Sequence, residues 1–369
     1  MNAISEITDI QQAAFKANCN VQERSPNPIS KVTGLAYAVV QRPDLDSATK
    51  FFEDFGLLVT QKSGDKVYMR GRSNSHHALV IERGSAAFAR LGFYAEEAEL
   101  NKLAKHFKQT PKTQDSVLGG KFITITTPDG FPLEINCGLN SLPTINRKES
   151  DPWNYSDSKE RINDCIRKDI APVLVHKLGH SVYSITNVKE SIEWFQNTLG
   201  MITSDFQFMN DEEIPSSAFL RCDCGDTPTD HHTIALALSP ELGHVHTAFE
   251  VDSMEEVAMA KDWLEKRKQY KHSWGMGRHI LGSQIFDYWR DQEGDLFEHY
   301  ADGDLFDAKV PTGYHPFHKQ SLHQWGPDIS NDFAGLNHPW KLIKIVIKRL
   351  FSKDDLTMKR IKKLGKAMG

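Results

Sequence analysis

The stretch SHHALVI at 75–81 returns in altered form as DHHTIAL at 230–236. Such an echo means that one folding unit has been used more than once, and repetition restricts a fold more tightly than local propensity does. Around the first copy the pattern predicts a strand at GLAYAVV (34–40), a helix at DLDSATKFFEDFG (44–56) closed by its glycine, and strands at 66–71 and 78–83. A second unit follows: LGFYA (91–95), a helix around EEAELNKLAKHF, then strands KFITITT and LEINC. After a polar stretch at roughly 142–172 the series restarts with GHSVYSI (179–185), helix SIEWFQNTLG (191–200), and strands SSAFLRC and HTIALAL. HVHTAFEV (244–251) opens a fourth unit, with a helix over 253–267 and strands near 283–290 and 296–300. The expected fold class is α+β, with four βαβββ modules in two tandem domains. The expected boundaries are an N-terminal extension 1–30, a first domain 31–141, a linker 142–172, a second domain 173–306 and a C-terminal extension 307–369.

A chain of 369 residues that is 39% hydrophobic and 25% charged can bury such a core without covalent staples. A net charge of −5 gives no electrostatic reason to expect a nucleic-acid partner. Five scattered cysteines, Cys19, Cys137, Cys165, Cys222 and Cys224, form no disulfide framework and suit a reducing compartment. The opening MNAISEITDIQQ lacks the basic and apolar regions of a secretory signal, and no apolar run reaches membrane-spanning length, so a cytoplasmic location is expected. The end of the chain, 338–369, carries ten Lys/Arg against two Asp, with Leu342, Ile343, Val346, Ile347 and Leu350 near helical spacing. It reads as a basic amphipathic helix packed on the body of the protein or a second subunit. An anionic membrane surface is the alternative partner.

Duplication allows one half to be compared with the other. Fourteen residues beyond His77 stands Leu91, whereas fourteen beyond His232 stands His246. The strand at 34–40 has no histidine, but its counterpart holds His180; Glu134 echoes Glu298. The first half is therefore expected to hold no metal, and the second to place His180, His246 and Glu298 on three strands as ligands. Two neutral imidazoles and one carboxylate with open positions suit non-haem Fe(II); zinc would more often recruit another geometry or a cysteine. RCDCGDTPTDHH (221–232) invites a zinc reading through Cys222, Cys224, His231 and His232, but the strand echo accounts for His232 better. His299 should face away from Glu298. His244 reads as a neighbour of the site or a surface group, and His76 and His77 as remnants or surface groups.

The LGH strand start, HVHTAFEV and the GRH…Y…E series together resemble the type I extradiol ring-cleavage dioxygenases (catechol 2,3-dioxygenase-like) of the vicinal oxygen chelate superfamily. The resemblance covers about 31–306 and is strongest over 173–306. It implies the glyoxalase/bleomycin-resistance-like fold, in which each domain is an open, incomplete β-barrel, a catecholic substrate with O₂, and a homo-oligomer. It also implies Fe(II), with Mn(II) as the alternative, on His180, His246 and Glu298. His232 matches the family's acid–base histidine, and His279 and Tyr288 its other two catalytic positions. The chain departs from the pattern where Asp287 precedes the tyrosine and where Gln292 replaces a turn proline. Trp274 lies near the place where relatives that take acidic substrates carry an arginine, so the expected ring is neutral or hydrophobic. Two other readings are kept: a 4-hydroxyphenylpyruvate dioxygenase-like enzyme driven by a 2-oxo acid, which needs no acid–base group at 232, and a glyoxalase- or isomerase-type member of the superfamily.

Overall fold

In the computed structural model, which describes residues 9–114, 118–147, 152–209, 213–333 and 355–368, the repeated pattern becomes two large open sheets. After helix α1 (Asp9–Asn18) the first half contains β1 (Gly34–Arg42), α2 (Leu45–Asp54), β2 (Leu58–Ser63), β3 (Lys66–Arg70), β4 (Leu79–Arg83), β5 (Ala87–Tyr94), α3 (Glu97–His106), β6 (Lys112–Thr113), β7 (Lys121–Thr126) and β8 (Pro132–Cys137). Its strand order is β2-β3-β4-β1-β5-β8-β7-β6. The second half contains β9 (Lys177–Ile185), α4 (Val188–Leu199), β10 (Ile202–Phe208), β11 (Ser217–Arg221), β12 (Thr229–Asp230), β13 (Ile234–Leu238), β14 (Gly243–Glu250), α5 (Met254–Arg267), β15 (Lys271–Arg278), β16 (Ile285–Arg290), β17 (Leu296–Ala301), β18 (Leu305–Phe306) and β19 (Gly313–Pro316). Its large sheet runs β15-β16-β17-β14-β9-β13-β11-β10-β19. Apart from β19 this is the first order read from the other end. The architecture is the expected α+β arrangement, and neither sheet closes into a barrel.

Local chemistry sets the helix ends. The Asp44 carboxylate accepts from the Asp46 and Ser47 amides at the start of α2, and the Ser253 hydroxyl accepts from the Glu256 amide at the start of α5. Gly200 takes the left-handed conformation that ends α4. The buried face of α2 reaches into the opposite half: the Phe52 and Phe297 rings meet edge-on at 4.9 Å, and Phe55 stacks on His299 at 3.6 Å. One continuous apolar core therefore joins both sheets. Buried Arg42 adds ion pairs to Asp291 at 2.6 Å and Asp295 at 2.7 Å. His299 donates from Nε2 to the Phe55 carbonyl at 2.7 Å, toward the first half, so its strand neighbour Glu298 faces the other side of β17.

The structure adds three long strands that the sequence reading passed over: β2, β10 and β15. ITSDFQF in β10 holds the polar run Thr203–Asp205 and Gln207 yet is buried throughout, and KHSWGMGR in β15 is interrupted by glycines and two register shifts. Residues 307–333, read as an extension, supply β19, which pairs parallel with β10, and a segment that packs over β15 and β16. The helix expected across 342–350 lies outside the described residues. The described basic helix is Met358–Met368, where Arg360 donates to the Ile214 and Pro215 carbonyls. No helix among the described residues is long and apolar enough to cross a membrane.

Candidate metal centre

Three neighbouring strands, β9, β14 and β17, deliver one polar side chain each to a single buried point. Nε2 of His180 and Nε2 of His246 each lie 3.2 Å from Glu298 Oε2 and 3.4 Å from one another. This is the one cluster of potential metal ligands among the described residues. Glu298 is fully buried, and neither of its oxygens has a hydrogen-bond donor. Burial alone raises its pKa, but the adjacent imidazoles of His180 and His246 overturn that and hold it well below the usual carboxylate range. Burial lowers His246 against the pull of Glu298, favouring a neutral ring. An ionised carboxylate without a donor beside two imidazole nitrogens is a donor set suited to a divalent cation. The Nδ1 atoms of both histidines also lack protein partners. Packing sets the ring planes instead, with His180 between His232 (4.1 Å) and Tyr300 (5.3 Å) and His246 against Tyr288 (5.1 Å). Gly179 makes this possible, because a Cβ there would meet the Tyr300 hydroxyl at 2.0 Å.

In the first half the same fold meets the corresponding carboxylate, Glu134, with protein groups. Ala38 pairs with Leu79 as Ser181 pairs with Ile234, which sets Tyr37 in the place of His180 and His77 in the place of His232. Gly92 opposite Glu134 matches Ala248 opposite Glu298. Val39 opposite Arg90 matches Val182 opposite His246. The counterpart of His246 is therefore Arg90, not the Leu91 obtained by counting along the chain, because the connections into β5 and β14 differ by one residue. Arg90 Nε donates to Glu134 at 2.8 Å and its other nitrogens hold Glu82, while the Tyr37 hydroxyl donates to Glu134 at 2.6 Å. A guanidinium supplies the positive charge there, and no lysine or arginine does so for Glu298 among the described residues. Arg90→Met should destabilise the protein. The loss should fall at the lower end of the roughly 3–5 kcal/mol typical of breaking a buried pair, since Arg90 stays 23% exposed. Urea denaturation checks this, and an unchanged midpoint would show that Glu134 does not need its cation.

Other sequence-predicted residues gather around the cluster. Tyr288 on β16 is directly opposite Glu298 in the ladder. His279 Nδ1 donates to the Leu322 carbonyl at 2.7 Å, which leaves its Nε2 to accept the Tyr288 hydroxyl at 2.9 Å. Burial pushes His279 down to about 4, and burial with nearby Glu298 pushes the Tyr288 phenol well above its ordinary value. His232 is buried against His180, and burial, reinforced by His180, puts it well below the ordinary histidine value. Trp274 stacks on Tyr288, and Phe333 packs on both; Leu322 and Ile329 complete this apolar wall. Asp287, the residue before the tyrosine, is buried and accepts from His272 and Trp289 away from the cluster.

Several expectations need correction. His76 and His77 are buried and joined Nδ1 to Nδ1 at 3.2 Å, so they are core groups and not surface ones. His244 is wedged between the halves, stacked on Phe88 at 3.7 Å. Cys222 and Cys224 lie beyond β11, which ends at Arg221. Burial pushes the Cys222 thiol up to about 12 and it contacts Thr233, while Cys224 approaches the Thr33 carbonyl, so neither meets His232. Sequence reasoning missed Asp205, Leu322 and Phe333. None of the three stood in a strand or repeat that the sequence reading had recognised.

No family model matches the chain. Metapyrocatechase 2 of Cupriavidus necator is 26% identical over 328 residues, covering 86% of this chain and 97% of that protein. Among solved structures, the Mn(II)-bound glyoxalase from Novosphingobium aromaticivorans superposes with a TM-score of 0.68 at 20% identity, covering 82% of this chain and 94% of the other. Homoprotocatechuate 2,3-dioxygenase from Brevibacterium fuscum, in complex with 3,4-dihydroxyphenylacetate, gives 0.67 at 18% identity, covering 85% and 94%. At these identities the structural matches establish the shared fold.

Proposed function

We propose, from the place of this chain among the extradiol dioxygenases of the vicinal oxygen chelate fold, that it uses Fe(II) and O₂ to open a neutral, catechol-type ring beside the diol. Both oxygen atoms enter the product. The observation that carries the proposal is the convergence of His180, His246 and Glu298 in the half whose buried carboxylate has no protein cation, next to His232 and the Tyr288–His279 pair. A divalent iron on those three residues would supply the Lewis acidity that acidifies the diol and the redox chemistry that O₂ requires; manganese(II) is the alternative occupant. His232, neutral at rest, accepts a hydroxyl proton from the ring and returns it during cleavage. Tyr288 remains a phenol and His279 a neutral imidazole, so the pair offers hydrogen bonds to the reacting oxygens without adding charge. Trp274, Phe333, Leu322 and Ile329 present an apolar wall. The nearby cations Arg278 and Arg290 are engaged by Asp302 and Asp332. This favours an uncharged ring over one bearing a carboxylate.

The test is oxygen uptake by anaerobically purified, iron-loaded protein against a panel of catechols, with metal analysis of the same sample. Alkyl- or aryl-substituted catechols should be cleaved with higher kcat/KM than those with acidic side chains. Iron-loaded protein that consumes oxygen with no member of the panel would end the proposal.

A further inference from the structure

Behind His232 stands a second histidine that the proposed chemistry does not use. His231 Nδ1 lies 3.0 Å from His232 Nδ1, and His231 Nε2 lies 2.5 Å from Asp205 Oδ2. The other Asp205 oxygen accepts from His315 Nε2 at 2.9 Å. Asp205 comes from β10, the two histidines from the entry to β13, and His315 from β19. Burial raises the Asp205 carboxyl, but the hydrogen bonds from His231 and His315 outweigh it and hold it below its ordinary value.

The arrangement specifies where each proton sits. An ionised carboxylate only accepts, so a neutral His231 carries its one proton on Nε2, and its Nδ1 is then a bare lone pair. Two Nδ1 atoms in hydrogen-bond contact share one proton, which must then belong to His232. A neutral imidazole carries a single N–H, so His232 Nε2 is also bare, and it has no hydrogen-bond partner among the described residues. The other nitrogen's partner determines the tautomer, as in an aspartate–histidine pair behind a catalytic base.

The first half provides an internal control. His76 and His77 repeat the Nδ1 contact at 3.2 Å. The ladder that runs Asp205, Phe219, Ala235 in the second half runs Gln61, Tyr68, Val80 in the first. The histidine pair belongs to the duplicated fold, whereas the carboxylate that orients it occurs in the half with the metal cluster.

We infer that Asp205 and His231 are positioning residues that hold His232 in its Nδ1–H tautomer and present Nε2 as the proton acceptor. The inference rests on the proposed ring cleavage for its effect on rate; the tautomer is a property of the protein alone. Long-range ¹H–¹⁵N correlation of ¹⁵N-histidine-labelled protein with Zn(II), a diamagnetic probe, should find the His232 proton on Nδ1, with His232→Asn assigning the signal. His231→Phe should move the proton to Nε2 or mix the two forms. His231→Gln, whose amide oxygen can accept from Nδ1–H, should keep it. With Fe(II), His231→Phe should lower kcat about 10–100-fold at unchanged KM and iron content, and His231→Gln should recover most of the loss. An Nε2–H tautomer in the unmodified protein, or an unchanged tautomer in His231→Phe, overturns the inference. If the unmodified protein turns over no catechol, the ring-cleavage reading fails and the tautomer measurement alone decides this one.

Discussion

Glu298→Gln is expected to purify without iron and to show no oxygen uptake with any catechol. Both effects follow from charge. Glu298 is the one carboxylate in the cluster, and two imidazoles alone leave a divalent cation with no neutralising anion. Affinity should fall by more than the roughly 10–100-fold that losing an outer partner of a ligand costs. Metal analysis and oxygen uptake on one preparation check both. A variant that keeps its iron would mean that Glu298 serves the packing of β17 and not a cation.

The convergence of His180, His246 and Glu298 was legible because three of its determinants repeat. Strand alternation, the echo of HH before β4 and β13, and the late glutamate appear in both halves, so the differences at His180 and His246 stand out against a built-in reference. Counting failed at Leu91 for a physical reason: hydrogen-bond register, not chain length, aligns two copies, and a one-residue change in a connection shifts every later match. The ladder puts Arg90 there instead, and with it the explanation of how Glu134 is neutralised. Asp205 was hidden because a charged residue argues against a buried strand, and its partners lie far along the chain at His231 and His315. The apolar wall was hidden as well. Phe333 and Leu322 belong to a segment with no repeat to mark it, and their closeness to Trp274 and His279 comes from tertiary packing. The join between halves, Phe55 on His299 and Arg42 on Asp291, likewise has no pattern in one dimension.

His232→Phe should leave bound iron at the parent level while lowering turnover by about 10²–10⁴, the usual contribution of a positioned general acid–base group. Geometry separates the two readouts. His232 stands outside the set of atoms that converge on a cation, but its ring packs on His180 at 4.1 Å. Phenylalanine fills much of the same space and keeps His180 in place, and it can neither take nor return a proton. The change also removes the partner of His231 Nδ1, which phenylalanine cannot replace, and leaves Asp205 bound to His231 and His315. The expected stability loss is the roughly 1–3 kcal/mol of one unsatisfied buried polar atom. Metal analysis, single-turnover kinetics under O₂ and a melting curve on the same preparation separate these contributions. A variant that loses iron would make His232 a ligand. A variant with full turnover would remove the need for a proton acceptor at this position, which is the behaviour expected of an oxygenase that draws its electrons from a 2-oxo acid.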